Sequence, residues 1–113
     1  MVVAYNLAGY PTPDMSAESM ITSPLFTRVN LSDIQEGDIL ASNGHVAIIA
    51  QVHSVRGRQA EVTILDAVGA PVHRVRLLRC NLVVASPAYL DQVRILSETE
   101  HYGSIFNIRR RNR

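Results

Sequence analysis

The sequence predicts one α+β domain over residues 1–113, with N-terminal helices packed on an antiparallel sheet of about five strands. Two patterns carry this prediction. The apolar run Met1–Leu7 ends near Gly9, as a buried helix does at its C-terminal cap. After residue 38 β-branched residues dominate, beginning with His45–Val52, as is typical of strands. A chain of 113 residues, 47% hydrophobic and 19% charged, can bury one modest core.

The N-terminal segment is predicted to hold the end of a buried helix, a turn and a second, shorter helix. Met1–Leu7 begins without the polar residue that normally caps a helix, so we expect the front of this helix to be missing. Gly9–Asp14 contains two prolines and predicts a turn. Asp14 or Ser16 can then cap a helix over Ala17–Ile21. The uncapped apolar helix also predicts self-association through Met1–Leu7.

Strands are predicted over much of the remaining chain. Leu25–Leu31 is irregular and holds at most a short strand, and Ile39–Leu40 leads towards a turn before the next strand. His45–Val52 is almost continuously apolar, which predicts a central strand covered on both faces. Ser54–Gln59 predicts a hairpin loop, and Ala60–Ala67 returns as the partner strand.

The C-terminal third predicts further strands and one more helix. Val72–Leu78 alternates in the manner of a half-exposed strand, and Asn81–Ala85 extends the sheet. Ser86-Pro87 has the form of a helix start, which predicts a helix over Ala88–Glu98, although the β-branched residues within it also suit a strand. Ser104–Arg110 predicts a last strand at the edge of the sheet.

Composition excludes several classes of function. The net charge is +1 and the arginines cluster only at Arg109–Arg113, so no nucleic-acid partner is expected. After residue 40 the longest apolar run is Val46–Ala50, far short of the ~20 residues that span a bilayer. Cys80 is the single cysteine, which excludes an internal disulfide and a cysteine-based zinc site. We expect no cofactor and no metal.

His45 and Asp66 are the candidate catalytic residues. His45 begins the most apolar strand, where a rigid element can hold a side chain at the edge of a cleft. Asp66 is the one carboxylate in Val62–Ala67, and a buried carboxylate is costly unless it is paired. An aspartate on one nitrogen of His45 would leave the other nitrogen as a general base. The alternatives are a structural histidine bonded to a backbone carbonyl, and an aspartate that starts the turn at Val68.

These residues lie in motifs that resemble a known family. Gly37-Asp38-Ile39-Leu40 followed by Gly44-His45-Val46-Ala47-Ile48-Ile49 resembles the histidine block of the NlpC-type, papain-like cysteine peptidases and amidases, which cut bacterial cell-wall peptides. Residues 4–18 resemble the family's helix end and following loop. Ile64–Ala67 falls where the family carries its third polar residue, and Phe106–Arg110 resembles its closing strand. The likeness covers nearly the whole chain, through short motifs.

The resemblance implies a papain-like cysteine hydrolase with His45 as general base, Asp66 as its orienting group and Asp38 stabilising a turn. The family's nucleophile is a cysteine at the start of the helix that corresponds to Met1–Tyr5. That motif would lie just before Met1, so we expect the chain to be truncated before the nucleophile or to lack it, and to be inactive as it stands. The alternative is a catalytically dead domain that binds a peptide or a protein.

The resemblance also implies partners and a location. The candidate partners are a peptidoglycan peptide or another peptide substrate, and an inhibitor or immunity protein. The family implies secretion or delivery to the periplasm or cell wall, while Met1–Asn6 shows no export signal. A third interpretation, a permuted enzyme that uses Cys80 beside Asn81, is weakened by the strand-like residues on both sides of Cys80.

Overall fold

The computed structural model describes residues 17–68, 74–99 and 101–112. Within these ranges the chain forms one helix, a 3₁₀ turn at Leu31–Asp33 and seven strands. The elements are α1 (Ala17–Thr22), β1 (Phe26–Arg28), β2 (Ile39–Ser42), β3 (His45–Arg56), β4 (Gln59–Val68), β5 (Arg74–Ser86), β6 (Tyr89–Leu96) and β7 (Phe106–Arg111).

The strands form one antiparallel sheet that closes on itself. The order is β1-β7-β2-β3-β4-β5-β6, and β7 also pairs with β6. Asn107 has both Ala41 of β2 and Gln92 of β6 as register partners, so these two strands lie on opposite edges of β7. Strands β2 to β7 therefore make a closed ring of six. Strand β1 pairs with the same edge of β7 as β6 does, but further along the strand, with Arg28 opposite Arg109.

Closure gives the sheet an inside and an outside. The inner face holds the larger apolar core, to which every strand of the ring contributes at alternating positions. The buried members from the strands are Leu40, Ala47, Ile49, Ala60, Val62, Ile64, Cys80, Leu82, Val93, Ile95, Phe106 and Ile108.

The outer face is covered over β2 and β3. Helix α1 packs Met20, which is 1% exposed, against Ile39, Ala41, Val46 and Ile48. The outer face of β5 is more open, since the side chains of residues 75 and 77 are more than half exposed.

The predicted fold class is wrong. The described residues contain one six-residue helix rather than helices layered on a sheet, and seven strands rather than about five. The physical reason is closure, because a sheet that curls until its edges meet can bury one face against itself. The short helix predicted over Ala17–Ile21 is confirmed, whereas Met1–Leu7, with its predicted helix and self-association, lies outside the described residues.

Two predictions for the C-terminal third are also wrong. The segment predicted as a helix, Ala88–Glu98, contains β6. Its buried residues, Asp91, Val93 and Ile95, recur at every second position, so the strand period prevails over the helix-start signal. Strand β7 is not an edge strand, because it pairs along both edges, and the edge of the sheet is β1 instead.

The predicted strands at the centre of the chain are confirmed and are longer than expected. The predicted hairpin loop Ser54–Gln59 is wrong in length, because β3 extends to Arg56 and β4 begins at Gln59. The turn between them is formed at Gly57, whose φ of +59° favours glycine. Burial on both faces was predicted for His45–Val52 but holds only from Val46 to Ile49, because Ala50 and Gln51 are exposed. Among the described residues no helix is both long and apolar enough to cross a membrane.

Candidate active site

His45 lies at one open end of the closed sheet. It is the first residue of β3, and its register partner is Ser42, the last residue of β2. Gly44 takes a φ of +83° between the two strands, a conformation that residues with a Cβ rarely adopt. Because Ala47 faces the inner core, His45, two positions earlier, faces the same side. The turn thus places the imidazole at the mouth of the inner core.

Asp66 lies near the end of β4 at the same mouth. Its register partners are Ala47 on β3 and Arg76 on β5, so it is a diagonal neighbour of His45 on one face. The hairpin pairing expected for His45 and Asp66 is confirmed by this register. The side chain of Asp66 is 1% exposed and that of His45 is 30% exposed.

The two side chains meet. His45 Nε2 lies 2.7 Å from Asp66 Oδ1, which is ion-pair distance. The ring is turned so that the Nε2–H direction misses the line to Oδ1, and the contact is close without being a well-directed hydrogen bond. The arrangement directs Nε2 towards the carboxylate and leaves Nδ1 as the nitrogen that can accept a proton from another group.

The second oxygen of Asp66 is held by two further groups. The Tyr102 hydroxyl donates a hydrogen bond of 2.6 Å to Oδ2, and Arg76 Nη2 lies 3.4 Å from the same oxygen. Tyr102 comes from the segment between β6 and β7, where His101 pairs with Leu96. Three separate parts of the sheet thus meet at one carboxylate.

Aromatic rings surround the imidazole on its inner side. The centroid of the His45 ring lies 5.8 Å from that of Tyr102 and 5.8 Å from that of Phe106, with interplanar angles of 54° and 82°. Tyr102 and Phe106 are themselves 5.9 Å apart at 79°. These tilted and edge-on geometries are favourable for aromatic pairs, and they fix the orientation of the ring.

The electrostatics of the cluster favour a charged Asp66. Burial acts to raise the pKa of Asp66, but the contacts with His45, Tyr102 and Arg76 outweigh it and hold that pKa below its ordinary value. Burial and the neighbouring carboxylate raise the pKa of Tyr102, so this hydroxyl stays protonated and remains a donor. The site therefore presents a carboxylate next to a partly exposed imidazole.

An open groove with a volume of about 500 Å³ lies near the turn that precedes β3, and His45 is not among its lining residues. Because Val93 and Phe106 face the inner core, their neighbours Gln92 and Asn107 face the outer side of the sheet, opposite to His45. The groove lining is largely polar and includes Ser42, Asn43, Gln92, Arg94, Ser104 and Asn107. Side chains of this kind can donate to and accept from amide groups.

Cys80 is not part of this site. It lies on β5 with its side chain in the inner core, opposite Val62, and it is 3% exposed. Burial, with a smaller contribution from Asp66, raises the pKa of the thiol to about 11. A protonated, enclosed thiol is a poor nucleophile, so the interpretation of Cys80 as a catalytic residue is not supported.

The sequence did not indicate Tyr102, Arg76 or Phe106. Tyr102 is 36 residues from Asp66 and lies in an irregular segment, so no local pattern connects them. Arg76 had a usable signal, because a strand pairing that puts residue 76 opposite Asp66 places a cation beside a buried carboxylate. Of the other described histidines, His53 contacts the Thr63 hydroxyl at 2.8 Å and His101 is exposed.

Asp38 has the structural role that the resemblance implied. Its buried carboxylate accepts the backbone N–H of Gln35 at 2.8 Å, which closes the turn before β2. Arg110 on β7 donates to both of its oxygens, at 2.7 and 3.0 Å. This pair fastens the turn to β7.

Within residues 17–68, 74–99 and 101–112 no group of three His, Cys, Asp or Glu side chains is arranged to hold a metal ion. The site is therefore a histidine–carboxylate cluster with a tyrosine and an arginine behind it. Comparison of the chain with models of known protein families, with curated proteins and with solved structures gave no match.

Proposed function

We propose that this chain supplies the general-base histidine, His45, and its aspartate, Asp66, of a cysteine hydrolase of peptide or amide bonds. We propose bacterial peptidoglycan peptides as the substrates. One observation carries the proposal. A fully buried aspartate contacts one nitrogen of a histidine that is 30% exposed, at 2.7 Å, at the mouth of a rigid closed sheet. The peptidoglycan substrate is the part of the proposal that rests on the resemblance of residues 37–49 to the NlpC-type histidine block.

In the proposed reaction Nδ1 of His45 takes the proton of a cysteine thiol, and the thiolate attacks the carbonyl carbon of the substrate. The imidazolium then gives that proton to the leaving amine, and water hydrolyses the thioester with His45 again accepting a proton. Asp66 stabilises the imidazolium and fixes the ring. Catalytic hydrogen bonds of this kind are often poorly aligned before substrate binds and tighten when it does.

In this proposal the nucleophilic cysteine is not one of residues 1–113, because Cys80 is the single cysteine of the sequence and is enclosed in the core.

The test is hydrolysis by the polypeptide that the gene encodes. Purified peptidoglycan and a synthetic stem peptide are incubated with it, and the release of new amino groups is measured. We expect iodoacetamide to abolish release and His45→Ala to reduce its rate about 10²- to 10⁴-fold, the usual contribution of a general base. His101→Ala, an exposed histidine, is the matched control and should keep the full rate. An undiminished rate in His45→Ala would contradict the proposal.

A second candidate function, a peptide-binding module without catalysis, is favoured by the enclosure of Cys80, the one cysteine of the sequence. The same experiment separates the two. If the stem peptide binds in calorimetry with equal affinity to the unaltered chain and to His45→Ala, and no amine is released, binding is the function.

A further inference from the structure

We infer that Tyr102 is a positioning residue for the His45–Asp66 pair and acts through Asp66, an inference that rests on the proposed function. Its hydroxyl holds one oxygen of the carboxylate so that the other stays directed at the imidazole. This role was not predicted from the sequence, because Tyr102 lies between β6 and β7 rather than on either strand of the hairpin.

The contacts of the carboxylate support this role. Tyr102 Oη lies 2.6 Å from Asp66 Oδ2, while His45 Nε2 lies 2.7 Å from Oδ1, so each oxygen has one close partner. Arg76 reaches Oδ2 only at 3.4 Å, which is near the limit of a hydrogen bond. The terminal torsion of an aspartate has a broad energy minimum. Of the two groups that contact Oδ2, Tyr102 is therefore the closer, and its hydrogen bond restricts the rotation of the Asp66 carboxylate.

The chemistry of a tyrosine suits this task. A neutral hydroxyl fixes the carboxylate without adding a positive charge, so the negative charge of Asp66 remains available to the imidazolium. A second close guanidinium would instead have competed with His45 for that charge. Because the raised pKa keeps the Tyr102 hydroxyl protonated, it donates throughout the pH range in which a histidine base works.

The ring of Tyr102 has a separate task. It packs against His45 and Phe106 at centroid distances of 5.8 and 5.9 Å, and the side chain is partly buried against the inner core. Tyr102→Phe keeps these ring contacts and removes only the hydroxyl, whereas Tyr102→Leu removes both. The two variants therefore separate positioning from packing.

The first experiment uses nuclear magnetic resonance on the chain itself and needs no activity. We expect Tyr102→Phe to raise the pKa of the Asp66 carboxyl, followed by its ¹³C shift, because a hydrogen bond to the charged form is lost. We also expect the His45 ring, followed by its ¹⁵N shifts, to change from one Nε2-protonated tautomer to a mixture. Tyr89→Phe, at an exposed tyrosine on β6, is the matched control and should change neither signal.

Unchanged Asp66 and His45 signals in Tyr102→Phe, with changes only in Tyr102→Leu, would assign packing alone to Tyr102 and overturn the inference. A second measurement covers the case in which the variants do not fold. In the unaltered chain the Tyr102 phenol should stay protonated to a higher pH than it does in Asp66→Asn, and equal titration of the two would equally overturn the inference.

The hydrolysis assay then tests the consequence for catalysis. We expect Tyr102→Phe to lower kcat about 2- to 10-fold with KM unchanged, the effect of one hydrogen bond. The same substitution in an Asp66→Asn background should have no further effect, because the tyrosine acts through that carboxylate. Failure of the proposed function would appear differently, as the absence of hydrolysis while the resonance changes persist.

Discussion

The buried carboxylates of this protein are held in two different ways. Asp38 and Asp91 are each paired with an arginine of β7, Arg110 and Arg109, at distances of 2.7 to 3.0 Å. Asp66 is equally buried, but its close partners are a histidine and a tyrosine hydroxyl. An arginine stays charged at every physiological pH, whereas a histidine gains and loses a proton. The aspartate–arginine pairs are suited to holding strands and turns together, whereas the aspartate–histidine contact is suited to proton transfer.

The comparison teaches that burial of a carboxylate does not by itself identify a functional site. Asp38 and Asp66 both have side chains that are 1% exposed. They differ in the partner: Asp66 contacts the imidazole of His45, whereas both oxygens of Asp38 accept from the guanidinium of Arg110, which also donates to the carbonyl of Asp33. Because the Arg110 side chain is 38% exposed, exposure of the partner does not separate the two sites, and the candidate site is distinguished by a partner that can gain and lose a proton.

The largest effect on stability is expected for a carboxylate that is paired with an arginine. Asp91→Ala would leave Arg109, which is 3% exposed, without its carboxylate. We expect the free energy of unfolding to fall by about 3 kcal/mol, because an uncompensated buried charge is costly. Urea unfolding followed by circular dichroism measures the loss. Glu61→Ala, which breaks the exposed pair with Arg79, is the control and should give no measurable change. If the free energy of unfolding fell no more in Asp91→Ala than in the control, the buried pair would not stabilise the fold.

The next effect concerns Asp66 and depends on pH. Its pKa is lowered in the folded chain, so as the pH falls the unfolded chain takes up this proton first. The stabilisation is thus complete above the ordinary aspartate pKa near 4 and is lost as the pH falls through the folded-state value. At pH 7 we expect Asp66→Asn to lower the free energy of unfolding by about 1–2 kcal/mol. Urea midpoints between pH 7 and pH 2 should converge for the two proteins as the pH falls, and parallel curves would contradict the assignment.

The smallest effect is expected at Ser42, the register partner of His45. Its hydroxyl is buried and has no hydrogen-bond partner in the part of the chain that the structure describes. Because a buried hydroxyl without a hydrogen bond is unfavourable, Ser42→Ala should leave the free energy of unfolding unchanged or raise it slightly. Thermal unfolding provides the measurement, with Asp91→Ala as the reference for a polar group that has partners. A loss above about 1 kcal/mol would show that Ser42 is held by a contact of its own.

The sequence sufficed to predict the hairpin and the pair within it. The apolar run of β3 and the single carboxylate of β4 predicted that His45 and Asp66 meet across a hairpin, whereas the two register shifts between these strands were not predicted. Local periodicity is enough for such short-range pairing. This part of the candidate site was predictable because its two strands are adjacent in the chain.

Closure of the sheet and the contribution of Tyr102 could not be predicted in the same way. Both depend on pairing between β7 and strands far away in the sequence, as between Ala41 and Asn107, and no local pattern records such contacts. Strand β6 was predicted as a helix because Ser86-Pro87 is a helix-start signal when considered alone. The bonds that β6 makes to β5 and β7 prevail over that signal.

The position of β7 between three other strands has a consequence for biosynthesis. While the chain leaves the ribosome, β2 and β6 have unpaired edges until residues 106–111 emerge, because only β7 joins them. Exposed edges are sites at which nascent chains associate wrongly, and pairing over such long sequence separations is slow. A ribosome that pauses before this strand would therefore hold an open, aggregation-prone sheet. Synonymous codon changes that delay its emergence should lower the soluble yield without altering a single residue.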